Sequence, residues 1–128
     1  MIRNTQESFE AKAKGERLQK DLVARLHAIL PEHADNISSS PMSAHGEDIQ
    51  ISTPEARKAF PFSVEAKYRE AGFSNVYSAL EQAARQVNAI SSALSIMAVA
   101  AIQQEGYDPL IVLTAEDFLD LITKKDIH

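Results

Sequence analysis

Two strand-like stretches between residues 46 and 69 constrain this chain most, because they carry charged side chains where a strand is usually apolar. The first begins beside Asp48, and the second contains Glu65, Ala66 and Lys67. Since side chains alternate along a strand, Glu65 and Lys67 share one face. Burying them costs free energy unless partners are present, and Asp48 on a neighbouring strand would complete a cluster of two carboxylates and one lysine. Spacing alone leaves two interpretations open, a divalent-cation site or an ion network without metal.

This cluster has the chemistry of a hydrolytic site. Carboxylates are hard oxygen ligands that suit Mg²⁺ or Mn²⁺ better than zinc. A bound Mg²⁺ keeps several waters, lowers the pKa of a water and stabilises charge that develops on a phosphate. Lys67 could orient or deprotonate that water, or neutralise the phosphate. The chain has no glycine-rich phosphate loop, no G-x-S-x-G elbow and no H-E-x-x-H motif, so these other enzyme templates do not fit.

Helical and strand patterns alternate along the rest of the chain. The predicted elements are a helix over 8–30, a strand around 48–52, a single helical turn that Thr53 caps and Pro54 begins, and a strand over 63–68. A helix over 74–92, strands over 94–102 and 110–113, and a final helix capped by Thr114 follow. Residues 1–7 are expected to be flexible, and residues 31–46 to form a loop or a short irregular strand. The second long helix is long enough to join parallel strands, so the sequence predicts an α/β fold with a mixed sheet and helices on it.

Composition indicates one soluble intracellular domain over residues 1–128. A chain of 128 residues suits a single domain, and it has no cysteine for disulfides or thiolate metal sites. The N-terminus is polar, and the longest apolar run, 93–102, is too short to cross a bilayer, so no membrane association is expected. The net charge of −5 argues only weakly against nucleic acid, because basic residues are concentrated locally. The two basic groups are Lys12, Lys14, Arg17, Lys20 and Arg25, and then Arg57, Lys58, Lys67 and Arg69.

Several motifs in the chain resemble the PD-(D/E)xK superfamily, in particular its small phage and bacterial nucleases described as Holliday-junction resolvases. The central motifs are GEDIQIS, FPFSVEAKYRE and SALEQA, in that order. KGERLQKDL is similar to the first helix of these nucleases and LTAEDFLDL to their C-terminal tail, so the resemblance covers about residues 12–122. It implies a restriction-endonuclease-like mixed central sheet flanked by helices, in the order α-β-β-α-β-β-α. It further implies an Mg²⁺-dependent endonuclease for branched DNA, acting as a homodimer in the cytoplasm of a bacterial or phage-infected cell.

Carried over by position, the resemblance assigns roles to individual residues. Asp48 and Glu65 become metal ligands together with the backbone carbonyl of Ala66, and Mn²⁺ is expected to substitute for Mg²⁺. Lys67 becomes the lysine that positions the water. Gln82, on the helix after the second strand, completes the implied catalytic set by orienting Lys67 or binding a phosphate.

Three accessory positions and the DNA contacts follow from the same resemblance and from the basic groups. Gln19 occupies the place where related archaeal resolvases carry a glutamate, so either it acts behind the ligands or Glu16 or Glu47 substitutes. The expected DNA-binding side chains are Lys14, Arg17, His45, Arg57, Lys58 and Arg69. Tyr68 stands where the family would have an asparagine, and residues 94–104 lack the usual arginine- and asparagine-rich ending. The alternatives are a nuclease for flap, nicked or single-stranded DNA, and a catalytically degenerate module for DNA binding or assembly.

Overall fold

A computed structural model describes residues 2–41, 46–90 and 96–127 of the chain. Helices and short strands alternate, which confirms the α/β class in its broad sense. The elements are α1 (Ile2–Ile29), a 3₁₀ helix (Pro31–Asn36), β1 (Ile37–Ser39), β2 (Ile49–Ile51), α2 (Pro54–Ala59), α3 (Ser74–Ala89), β3 (Ala100–Ile102), β4 (Leu110–Val112) and α4 (Ala115–Ile127). They form two compact units, Met1–Glu70 and Ala71–His128. The expectation of one domain over 1–128 stays a prediction.

The strands of the described residues form two separate two-stranded antiparallel sheets, β1 with β2 and β3 with β4. One mixed central sheet, as expected from the sequence, is not present within these residues. Each strand pairs with its neighbour along the chain, which an antiparallel connection allows without a crossover helix. Within the described part of the chain, no helix is both long enough and apolar enough to span a membrane.

The first unit is built on one apolar face of α1. Leu26 and Leu30 are each 1% exposed and lie in its core with Ile37, Ile49 and Phe60. The helix begins at Ile2, so the predicted flexible end is helical from that residue onward. The sequence predicted a loop or a short irregular strand over 31–46. In the described part of this stretch, Ile37–Ser39 form the short strand β1, and Pro31–Asn36 form a 3₁₀ helix that was not predicted. β1 then covers the helix because Ile37 is the apolar residue that anchors it.

The predicted strand over residues 63–68 is not a regular strand in the structure. The alternation of its faces is nevertheless present, since Val64 and Ala66 are half-buried while Glu65 and Lys67 are exposed. Pro61, just before the segment, has no backbone N–H and cannot donate to a ladder. The segment is bonded at Asp48, the residue before β2, whose N–H donates to the carbonyl of Val64. The faces follow from side-chain alternation, whereas a ladder needs repeated backbone partners.

Threonine caps confirm two predicted helix starts. The Thr53 hydroxyl accepts the N–H of Ala56 at 3.2 Å, with Pro54 as the first residue of α2. At α4 the Thr114 hydroxyl accepts the N–H of Asp117 at 3.1 Å. These starts could be predicted because a cap depends only on residues within one turn.

The second unit contains α3, the hairpin of β3 and β4, and α4. Ala100 pairs with Val112 and Ile102 with Leu110. The predicted strand over 94–102 is shorter than expected: β3 begins at Ala100, and residues 91–95 lie outside the described part of the chain. Its expected burial on both faces is also wrong, since Val99 and Ala101 are exposed. A nearly continuous run of apolar residues therefore did not mean that both faces of this strand are buried.

Candidate functional site

Asp48 is held by hydrogen bonds on three sides. Its backbone carbonyl accepts the N–H of Ser40 at 2.9 Å, and its own N–H donates to the carbonyl of Val64 at 3.1 Å. Its carboxylate oxygen Oδ2 accepts the N–H of Ala66 at 2.6 Å. The contact to Ser40 continues the β1–β2 ladder by one position beyond the pair of Ser39 and Ile49. Asp48 thus joins the end of this sheet to residues 64–66.

The bond to Ala66 brings the carboxylate of Asp48 against the backbone between Glu65 and Lys67. Both of those side chains are exposed to solvent, whereas Asp48 is half-buried. One side-chain-to-backbone contact therefore links Asp48 to the segment that carries Glu65 and Lys67. The candidate metal ligands are two carboxylate side chains, Asp48 and Glu65, and the backbone carbonyl of Ala66. A cluster of three or more Asp, Glu or His side chains that could hold a metal is not present among the described residues.

Gln19 lies beneath this region, on the face of α1 that packs on β1. Its side chain is buried, and its amide nitrogen donates to the carbonyl of Ser40 at 2.7 Å and to the hydroxyl of Ser39 at 2.8 Å. The side-chain amide of Gln50 approaches the Ser40 hydroxyl at 3.4 Å. Sequence reasoning missed both serines, because Ile37 alone precedes them and one apolar residue makes no strand pattern.

The two predicted accessory acids both lie in ion pairs. Glu16 pairs with Lys20 one helical turn later, at 3.2 Å. Glu47 pairs with Arg57, whose second nitrogen donates to the backbone carbonyl of Phe62 at 2.9 Å. The hydrogen bond from Arg57 lowers the pKa of Glu47; its burial acts in the opposite direction, and the Arg57 charge and the Ser63 hydroxyl add to the lowering. Glu47 is therefore ionised at neutral pH and engaged by a guanidinium.

Arg57→Met is expected to raise the pKa of Glu47 toward its ordinary value of 4.5. A carboxylate with a lowered pKa adds stability above its ordinary value, and that contribution disappears as the pH falls through the lowered value. The melting temperature of the wild-type chain should exceed that of Arg57→Met at pH 6, and the difference should narrow below pH about 4.5. Carbon-13 NMR titration of Glu47 and melting curves measure both effects. Lys58→Met is the matched control, and a Glu47 pKa that is the same in Arg57→Met as in the wild-type chain would contradict the assignment.

The expected DNA-binding residues have different surroundings. The Lys14 ammonium lies 3.7 Å from a carboxylate oxygen of Glu70 and 5.3 Å from the centre of the Tyr68 ring. A cation over an aromatic face is attracted by the ring quadrupole, a role for Tyr68 that the sequence did not suggest. Arg17 and Lys58 are exposed.

Three further site residues complete the comparison with the sequence. Arg69 is exposed, and His45 lies outside the described residues. Gln82 lies on α3 in the second unit and is exposed. Its expected role beside Lys67 stays a prediction.

Comparison with known proteins found no family model, no curated protein and no solved structure that matches the chain. Function is therefore inferred from the contacts around Asp48 and from the motifs of the sequence.

Proposed function

We propose that this chain is a metal-dependent DNA endonuclease of the PD-(D/E)xK type, centred on Asp48, Glu65 and Lys67. The observation that supports the proposal most strongly is the 2.6 Å hydrogen bond from the N–H of Ala66 to the Asp48 carboxylate. A D…ExK spacing in a sequence is common by chance. A direct bond between the aspartate and the residue inside the ExK triplet adds a spatial relation that the spacing alone does not supply.

The restriction-endonuclease-like fold is part of the same proposal. Support comes from the long first helix, the β1–β2 sheet packed on it, and residues 64–66 bonded to the end of β2. Helix α3 follows this segment directly, in the order that the superfamily resemblance implies.

The donor set suits Mg²⁺ or Mn²⁺. Asp48, Glu65 and the carbonyl of Ala66 all offer hard oxygen atoms, and the exposed Glu65 side chain can be approached by a hydrated ion. When bound, Mg²⁺ supplies an acidified water and offsets charge on a phosphate. Glu16 and Glu47 contribute less in this proposal, because Lys20 and Arg57 already engage their carboxylates.

The protein groups have separate tasks in hydrolysis. Hydrogen bonds fix Asp48 before a ligand arrives, so its orientation costs little reorganisation. Lys67 carries an exposed ammonium beside Glu65, where it can hold the attacking water or a phosphate oxygen by hydrogen bonding. Arg17 and Lys58 are exposed cations that can contact the DNA backbone.

Branched DNA of the Holliday-junction type is the proposed substrate. Cutting two strands of a junction needs two active sites, which a two-fold homodimer supplies. The second candidate is a degenerate module that binds DNA or assembles without cleaving. It is favoured by the buried position of Gln19, whose amide already bonds to β1, and by the exposed apolar residues Leu110 and Ile111 of the second unit.

Binding of Mn²⁺ and cleavage of labelled DNA distinguish these candidates. Isothermal titration should detect Mn²⁺ binding, and a synthetic four-way junction should be cut in Mg²⁺ but not in EDTA. Flap, nicked, linear duplex and single-stranded oligonucleotides of the same sequence serve as matched substrates. Preferential cutting of a flap, nicked or single-stranded substrate would replace the junction by that substrate, whereas junction binding without Mn²⁺ binding or cleavage would favour the degenerate module.

A further inference from the structure

We infer that Gln19 is a positioning residue for Asp48 and not a metal ligand. Gln19 is only 4% exposed, and its two hydrogen bonds attach α1 to the end of β1. The inference rests on the proposed function, because it concerns how the carboxylate of the metal site is held. It gives a specific task to a residue that the motif resemblance left open.

A continuous series of hydrogen bonds connects Gln19 to the proposed metal site. Gln19 donates to the carbonyl of Ser40, and the N–H of Ser40 donates to the carbonyl of Asp48 at 2.9 Å. Asp48 in turn donates its N–H to Val64 and accepts the N–H of Ala66 on its carboxylate. Movement of Ser40 would therefore displace the backbone that carries the Asp48 side chain.

The partners of Gln19 require a donor at this position. A backbone carbonyl only accepts hydrogen bonds, so the atom of Gln19 that faces Ser40 is its amide nitrogen. An ionised glutamate has no hydrogen to donate and would set a negative oxygen against that carbonyl. Glutamine is thus suited to holding β1, where a glutamate would be suited to binding a cation.

Two substitutions test this assignment against the ligand alternative. Gln19→Met keeps the approximate length and removes the donor, and Gln19→Glu supplies a charged ligand without the donor. We expect both to weaken Mn²⁺ binding by about 10-fold or more, as for other residues that orient metal ligands. On a synthetic four-way DNA junction, kcat should fall while KM stays unchanged, and the NMR signal of the Ala66 amide proton should shift. Gln86→Met and Gln86→Glu are matched controls at an exposed glutamine on α3, and they should behave as the wild-type chain.

Different outcomes overturn the inference in different ways. Tighter Mn²⁺ binding by Gln19→Glu would make residue 19 a ligand, and a lower melting temperature with unchanged Mn²⁺ affinity would make it a purely structural residue. In the wild-type chain, the side-chain amide protons of Gln19 should exchange slowly with solvent; exchange as fast as that of Gln86 would also contradict the inference. Asp48→Asn separates a failure of the proposed metal site from a failure of the role of Gln19. If Asp48→Asn binds Mn²⁺ as the wild-type chain does, the proposed metal site is wrong. If Asp48→Asn loses Mn²⁺ binding while both Gln19 variants keep it, the metal site stands and only the role of Gln19 is wrong.

Discussion

Asp48→Asn is expected to lower the rate of Mg²⁺-dependent DNA cleavage by about 1,000-fold while the fold survives. The change removes one negative charge from the ligand set, and the charge stabilisation that a bound metal provides is worth several kcal/mol, each 1.4 kcal/mol being tenfold in rate. The asparagine oxygen can still accept the N–H of Ala66, which Asp48 accepts at 2.6 Å. Asp48→Asn therefore separates the loss of charge from the loss of the contact.

Single-turnover cleavage of the junction, Mn²⁺ titration and melting curves measure this prediction. Asp21→Asn is the matched control, because it makes the same chemical change at an exposed aspartate on α1 that the proposal does not place in the site. Asp48→Ala should additionally lower the free energy of unfolding by roughly 1 kcal/mol, since the Ala66 N–H loses its acceptor. Cleavage by Asp48→Asn at the wild-type rate would remove Asp48 from the reaction.

Lys67→Met is expected to reduce cleavage by about 100-fold or more and to leave Mn²⁺ affinity unchanged. A positioned side chain that orients or deprotonates a reacting water contributes on the order of 10²–10⁴ in rate. Because Lys67 is exposed, its replacement should not disturb packing. Methionine also keeps most of the side-chain length. The expected pattern, metal bound but DNA uncut, differs from the combined loss expected for Asp48→Asn.

Lys124→Met provides the control for a lost positive charge, since Lys124 is an exposed lysine on α4 in the second unit. Junction binding in Ca²⁺ should be compared for both lysine variants, so that weaker DNA attachment is not mistaken for slower hydrolysis. Loss of Mn²⁺ binding in Lys67→Met would instead assign this residue to the structure of the metal site.

Local signals in the sequence predicted the starts of α2 and α4 well, whereas α1 begins at Ile2 and not at the predicted residue 8. Thr53 and Thr114 accept backbone N–H groups within one turn of their own positions, so the few residues around each cap carry the information. The same holds for the alternation of exposed and half-buried side chains at residues 64–67, which follows from the two-residue repeat of extended chain.

Pairing between distant segments was predicted poorly. β1 pairs with β2 across a connection, and its three residues contain only Ile37 as a large apolar side chain. The mixed central sheet was expected because α3 is long enough for a crossover, but helix length allows such a sheet without requiring it. A pattern of single residues does not specify which strand forms the next hydrogen-bonded neighbour.

The sequence by itself determined the residue types of the candidate site, namely two carboxylates and a lysine in a D…ExK arrangement, together with the helices around them. The tertiary structure decided that the carboxylate of Asp48 bonds to the backbone of Ala66, and that Gln19 bonds to the carbonyl of Ser40, whose N–H in turn bonds to Asp48. Gln19 and Ser40 are 21 positions apart, and Asp48 and Ala66 are 18. Contacts over such separations depend on how the helix and strands pack, so no local pattern of the chain specifies them.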